Sequence, residues 1–240
     1  MEITLFTPHV GQKAVIQGFS TSQHKFGTVV TSRQWGKSLL GQNLLLFWLL
    51  QSPNQKGCWI SPIYNQAKKV FQELSDASQS IIQSSNKAEL TIKFVNGSAV
   101  QFLSSERPDS VRGFSFHYMV VDEAAYVNER GFETAILPTL TALGKKCLII
   151  STPKSKNWFY KYYLKGSDVS TDYISFRGQS TDNPYIDQSF IAEQRLSLPD
   201  DIFRQEYLAE FTDAGSEVFR GVDDACVVNQ YTKQDKASRC

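Results

Sequence analysis

Two periodicities alternate along the chain, and their order predicts the fold. "FGTVV" (26–30) is rich in β-branched residues and reads as a buried strand. A helix follows from Lys37 to about Leu50, apolar all round and therefore expected to be covered on both sides. "GCWISP" is a second strand, closed by Pro62. "NQAKKVFQELSDASQSII" carries apolar residues at Ala67, Val70, Phe71 and Leu74, the spacing of a helix face. "LTIKFVNGSAVQFLS" is two short alternating runs around Asn96-Gly97, a hairpin signal. "FHYMVVDEA" and "KKCLIISTP" are further buried strands. Between them "ERGFETAILPTLTAL" reads as a helix interrupted near Pro138. "NWFYKYYLKG" is a helix stopped by Gly166.

Strand-helix-strand alternation predicts an α/β fold with a mostly parallel central sheet flanked by helices. The pattern changes after about residue 170. "DYISFRG" is one strand, and "DQSFIAEQRLSL" and "DDIFRQEYLAEF" are two amphipathic helices, the second with Asp200 as its expected cap. The expected division is a core over 1–170, a small helical lid or linker subdomain over 171–228, and a polar, fraying tail over 229–240.

A length of 240 residues suits one large α/β domain, with or without a small appendage. The net charge of +1 does not by itself advertise nucleic acid, so any such contact must come from a local patch or from several copies acting together. The four cysteines form no CxxC pair, which argues against a zinc site or a disulfide scaffold and fits a reducing cytosol. The longest apolar run, Leu44 to Leu50, is too short to span a bilayer, and the N-terminus has no basic-then-apolar signal.

"SRQWGKS" (32–38) lies between the first strand and its helix. It ends as a phosphate-binding loop does, although Thr31 stands where that motif has its first glycine. In such a loop backbone N–H groups curl around phosphates at a helix N-terminus. Gly36 would allow close approach, Lys37 would sit on the β- and γ-phosphates, and the Ser38 hydroxyl would bind Mg²⁺. A plain polar strand-to-helix turn is the alternative. The second signal is Asp122-Glu123, directly after the buried strand "YMVV", at the strand end outside which open α/β sheets bind ligands. Asp122 would hold the Mg²⁺ shell, and Glu123 would orient the water that attacks the γ-phosphate. Acids in a helix first turn are the alternative here.

"SRQWGKS", "VVDEAA" and "IISTP", in this order, resemble the ATPase domain of the large terminase subunit of tailed bacteriophages, and the similarity extends from "PHVGQ" to "EYLAEFTDAGSEVFRG". The resemblance implies a P-loop NTPase of the additional-strand type, which accepts a loop without the first glycine but with an early arginine. ATP would contact Ser32, Arg33, Gln34, Trp35, Gly36, Lys37 and Ser38. Gln12, in what looks like the family's adenine motif, would read the base edge, since an amide accepts and donates at once. Arg33 would reach the γ-phosphate in cis. Ser151 or Thr152 would sense that phosphate and couple its loss to the neighbouring subdomain. Arg112, in "SVRGF", would reach the next subunit's site in a ring, or else pair locally with Asp109 or Glu106.

The implied function is Mg-ATP hydrolysis driving double-stranded DNA into a procapsid in the host cytoplasm, with portal protein and small terminase subunit as partners and a homo-oligomeric ring as the working form. Complete large terminases also carry a ribonuclease-H-like nuclease domain. Asp223-Asp224 is an acidic pair, but no strand bearing further acids follows it, so DNA cutting is not expected of these residues. The lysines at 68, 69, 154, 156, 161 and 165 are DNA-contact candidates or a solvated face, while the aromatics at 158, 159, 162 and 163 are expected in the core. Two other functions share these motifs: a helicase-like ATPase, and a nucleotide-binding assembly module with little turnover.

Overall fold

The structure, a computed structural model, describes residues 6–168 and 170–212. In chain order its elements begin with α1 (Val10–Ser20), β1 (Phe26–Thr31), α2 (Lys37–Leu50), β2 (Lys56–Ser61) and α3 (Tyr64–Ala77). They continue with β3 (Ile82–Asn86), β4 (Thr91–Phe94), β5 (Ala99–Ser104), β6 (Tyr118–Val121), α4 (Glu129–Gly131), β7 (Lys146–Ser151), α5 (Trp158–Lys165), β8 (Tyr173–Gly178), α6 (Gln188–Ser197) and α7 (Asp200–Leu208). The eight strands form one sheet in the order β3-β4-β5-β2-β6-β7-β1-β8. Pairing is parallel from β5 across to β8, and antiparallel only at β3-β4 and β4-β5. β7 therefore lies between β1 and β6, which is the inserted strand expected of the additional-strand type.

Successive residues of the central strands serve opposite faces, and both faces are dry. Val29, Trp59, Val120, Leu148 and Ile150 join one core with α1, α2 and α3. Val30, Ile60, Met119, Val121 and Ile149 join a second with α5 and the segment after β6. This explains why the strands read as continuous apolar runs rather than alternating ones. α2 is buried at Leu40, Leu44, Leu45, Leu46, Trp48 and Leu49, but Leu39 (46 % exposed) and Phe47 (39 % exposed) share a face that stays open, so the expected cover on both sides is only partial.

Several expectations need correction. The strand "DYISFRG" belongs to the sheet: β8 pairs with β1 from Phe26↔Tyr173 to Thr31↔Gly178, so a boundary at 170 would cut off an edge strand of the core. The helix read through Ile82 ends at Ala77, and Ile82–Asn86 turns into edge strand β3 against β4. The Pro138 segment is a chain of short turns, with α4 leading into a π-turn (Phe132–Ile136) and then a 3₁₀ turn (Leu137–Leu140). Pro199, not Asp200, is the cap residue of α7, and Asp200 instead takes an ion pair from Arg195 at 2.8 Å.

The β4-β5 hairpin turns at Asn96-Gly97 as expected, with Gly97 at φ +80° and its N–H bonded to the Phe94 carbonyl. Cys58 and Cys147 are free and buried, and burial pushes the Cys147 thiol up to about 12, so neither is a reactive thiol. Trp158, Phe159 and Tyr162 lie in the core as anticipated, whereas Tyr163, expected there too, is only half-buried against it. Asp223-Asp224, Cys226, Cys240 and the tail lie outside the described residues.

Candidate nucleotide site

β1 ends at Thr31 and α2 begins at Lys37, so residues 32–36 form the connecting loop. Gly36 caps α2 at φ +93°, a backbone position that suits glycine. Gln34 also lies at positive φ, at +56°. The neighbouring strand order brings the end of β6 to the same edge of the sheet. There Ser38 Oγ donates to Asp122 Oδ2 at 3.0 Å, and Lys37 Nζ lies 3.0 Å from Glu123 Oε1. Residues from two distant motifs are thus in direct contact.

Asp122 is buried, and that burial pushes its carboxyl up to about 6. The adjacent Glu123 charge adds to the rise, while Lys37, the Ser38 hydroxyl and the Glu123 N–H oppose it. A carboxylate and a hydroxyl together offer the hard oxygen ligands that Mg²⁺ takes, and among the described residues no group of three His, Cys, Asp or Glu competes as a metal site. Glu123 sits at φ +49°, a strained position for a non-glycine residue of the kind that accumulates at functional sites. Ser151 Oγ accepts from the Ala125 N–H at 3.2 Å and donates to Glu123 Oε2 at 3.3 Å. Ser151, at the end of β7, is therefore tied to the acid, while Thr152 lines an open cleft of about 460 Å³ with Arg33, Ile63, Gln66, Glu123 and Tyr126.

The loop is held from its carbonyl side. Ser180 Oγ approaches the Arg33 carbonyl at 3.4 Å and Asn183 Nδ2 donates to the Gln34 carbonyl at 2.9 Å. His9 Nε2 bonds the Trp35 carbonyl at 2.9 Å, and Gln12 Nε2 donates to the Gly36 carbonyl at 3.0 Å. The Ser32 hydroxyl accepts from Ser180 Oγ at 2.8 Å. Gln12 also accepts the His9 N–H at 3.1 Å, so its amide spans the start of α1 and the loop. The Trp35 indole is 1 % exposed and packs in the core between Gly11 and Gly178, so this residue offers the site its backbone rather than its ring.

Arg33 reaches α7. Its backbone N–H bonds the Glu206 carbonyl at 3.0 Å, and its guanidinium pairs with the Glu206 carboxylate. That hydrogen bond, and then the Glu206 charge, raise the Arg33 pKa. Arg112 is not brought to the cleft. It pairs with Asp109 at 2.6 Å on the exposed turn before β6, which is the local pairing the sequence left open. Sequence reasoning missed His9, Ser180, Asn183 and Glu206. Only His9 carried a local signal, as the residue before the α1 turn that holds Gln12.

A parallel sheet with this loop leading into α2, and one strand inserted between the loop strand and the acidic strand, defines a P-loop NTPase fold. The chain belongs to the large terminase subunit family: residues 28–223 match the family described as "Terminase large subunit, T4likevirus-type, N-terminal". It is 32 % identical over 219 residues to the terminase large subunit of Escherichia phage T5, covering 89 % of this chain and 50 % of that protein. It is 30 % identical to the terminase large subunit of Thermus virus P23-45, covering 92 % of this chain and 52 % of that one. The chain thus spans about half the length of these relatives. Among solved structures, the large terminase ATPase domain of Thermus phage P74-26 superposes with a TM-score of 0.74 at 29 % identity, covering 86 % of this chain and 95 % of that domain. The large terminase of a thermophilic bacteriophage, solved in complex with ATP-γ-S, shares the fold, with a TM-score of 0.72 at 14 % identity over 85 % of this chain and 53 % of that one.

Proposed function

We propose that this chain hydrolyses Mg-ATP and, as part of a large terminase, powers translocation of double-stranded viral DNA into a procapsid. One observation carries the reading: Lys37 and Ser38 of the loop contact Glu123 and Asp122 of the acidic pair directly. A protein solved with ATP-γ-S shares this fold, which supports nucleotide as the ligand. The Lys37 ammonium rests on Glu123. Phosphates entering the loop would draw Lys37 onto the β- and γ-oxygens and release the Glu123 carboxylate, which Ser151 keeps aimed. Glu123 would then take the proton of the attacking water as that water's oxygen bonds the γ-phosphorus. The bond to the bridging oxygen breaks, and ADP leaves with the electron pair. Mg²⁺ held by Ser38 and Asp122 would, when bound, neutralise charge on the β- and γ-oxygens. Gln12 would read the adenine edge with the hydrogen-bonding capacity its two present contacts leave. Thr152, beside Glu123 in the cleft, would register loss of the γ-phosphate.

Double-stranded DNA, portal protein and small terminase subunit are the proposed partners, the homo-oligomeric ring the working form, and the host cytoplasm its place. Among the described residues no helix is long and apolar enough to cross a membrane. The test is ATP turnover per molecule against protein concentration for wild type beside Glu123→Gln. Turnover in wild type that falls at least ~10²-fold in the mutant is expected. Equal inertness of both at every concentration would favour the nucleotide-binding assembly module, and strand separation by the active protein would favour a helicase.

A further inference from the structure

We infer that His9 and Asn183 are positioning residues of the phosphate loop, holding it from the side opposite its ligand. The inference rests on the loop being a phosphate site, as proposed above. A phosphate loop binds anions through backbone N–H groups, so its carbonyls must face away and each outward carbonyl needs a donor. Three consecutive carbonyls, from Gln34 to Gly36, meet side-chain donors in chain order: Asn183, His9 and Gln12. The Gly36 carbonyl also takes the Leu40 N–H of α2. Among the described residues no acceptor bonds the N–H groups of Gln34, Trp35 or Gly36. The carbonyl side is thus occupied while the amide side is left for a ligand.

The first two donors are the informative ones. His9 is 7 % exposed and Asn183 8 % exposed, so neither side chain has water as a ready alternative partner. A carbonyl only accepts, so the His9 proton sits on Nε2. The imidazole also meets the Trp35 ring edge-on at 4.7 Å. Asn183 is oriented by its other end, where Oδ1 accepts the Tyr185 N–H at 3.0 Å, so Nδ2 is the atom that faces Gln34. The donors come from two places far apart in the chain, the start of α1 and the segment after β8. The loop is therefore fixed between two separate segments rather than by its own turn chemistry.

The test separates the hydrogen bond from the packing. His9→Phe keeps a ring against Trp35 and removes the donor. His9→Gln restores a donor at the same reach. Asn183→Asp keeps the shape and replaces the donor with an acceptor. Two readouts are taken on the whole chain: affinity for ATP and for AMP by displacement of a fluorescent adenine nucleotide, and amide NMR resonances of Gln34 to Gly36 without nucleotide. Expected for His9→Phe and Asn183→Asp is an ATP affinity weakened about tenfold, equal to ~1.4 kcal/mol or one neutral hydrogen bond. AMP affinity should stay within about twofold, because the lost order lies at the β- and γ-phosphates. The loop amide resonances should shift or broaden, and His9→Gln should restore both readouts. Unchanged loop resonances and ATP affinity in His9→Phe and Asn183→Asp would overturn the inference. So would a His9→Gln variant as impaired as His9→Phe, since the ring and not the donor would then matter. If wild type binds neither ATP nor AMP, the ATPase reading falls, and the resonances alone decide whether these side chains order the loop.

Discussion

Asp122 carries an electrostatic cost that a ligand would relieve. Its carboxyl is pushed from the ordinary carboxylate range up to about 6 because burial disfavours the charged form. A folded-state pKa above the unfolded one means that the folded protein binds the proton more tightly. Stability from this group is therefore full below the unfolded value and is lost as pH rises through about 6. In metal-free, nucleotide-free protein, Asp122→Asn should raise unfolding free energy at pH 7.5 by up to ~3 kcal/mol, with the gain vanishing towards pH 4. Urea titrations at the two pH values measure it. The same variant should lose Mg²⁺-dependent turnover. A second residue-scale prediction concerns Lys37→Ala, which removes the Glu123 partner and the phosphate-facing charge together. Turnover should fall at least ~10²-fold with the fold intact by circular dichroism, and unchanged turnover would refute the site.

At the scale of elements, α1 and its cap residue supply two of the loop's three carbonyl donors, Gln12 and His9. The two glycines of α1 are poor helix formers, and tertiary packing of Val15 and Phe19 decides the matter. The far end of α1 is tied by one side chain. Lys146 Nζ, at the start of β7, donates to the carbonyls of Phe19, Ser22 and His24 at 2.8–3.1 Å and lies over the Phe19 ring. Lys146→Met should therefore leave the Ser22 and His24 carbonyls short of a donor, the Phe19 carbonyl keeping the Ser22 hydroxyl, and cost about 2–3 kcal/mol in urea denaturation. Proteolysis should become faster between α1 and β1 than in the sheet. The buried strands, by contrast, were legible residue by residue, because a strand covered on both faces must be apolar throughout. β8 was assigned to the wrong unit for a related reason. It is only half-buried at Tyr173, Ile174, Ser175 and Phe176, so its sequence resembles that of a peripheral strand.

For the molecule as a whole, the placement of Arg112 separates what one chain can do from what an assembly can do. Arg112 is exposed and paired with Asp109, outside the cleft that Arg33 and Glu123 line. If it serves a neighbouring subunit, Arg112→Ala should leave turnover at high dilution unchanged. At concentrations where copies associate, the variant should forfeit the rise seen in wild type, which an arginine supplied in trans can make as large as ~10³–10⁵-fold. Turnover of the variant that tracks wild type at all concentrations would assign the rate-enhancing charge to Arg33 instead. Arg33 is itself held by Glu206 of α7, across 173 residues of sequence, so the position of the helical unit and the freedom of that arginine are physically linked.

The amino-acid sequence by itself determined the order of the buried strands in the chain, the loop at 32–38, the acidic pair at 122–123 and the apolar strand that precedes each. These are local properties: periodicity, a glycine before a lysine, and polar residues that begin where a buried strand ends. Tertiary structure alone decided which distant groups meet. It paired Lys37 with Glu123 and Arg33 with Glu206, and it gave three loop carbonyls donors from residues 9, 12 and 183. Hydrogen-bond partners of a loop need only the right donor at the right place, and many residue types provide one. A composition or a spacing therefore does not specify them, whereas the packing of α1, β8 and α7 around the loop does.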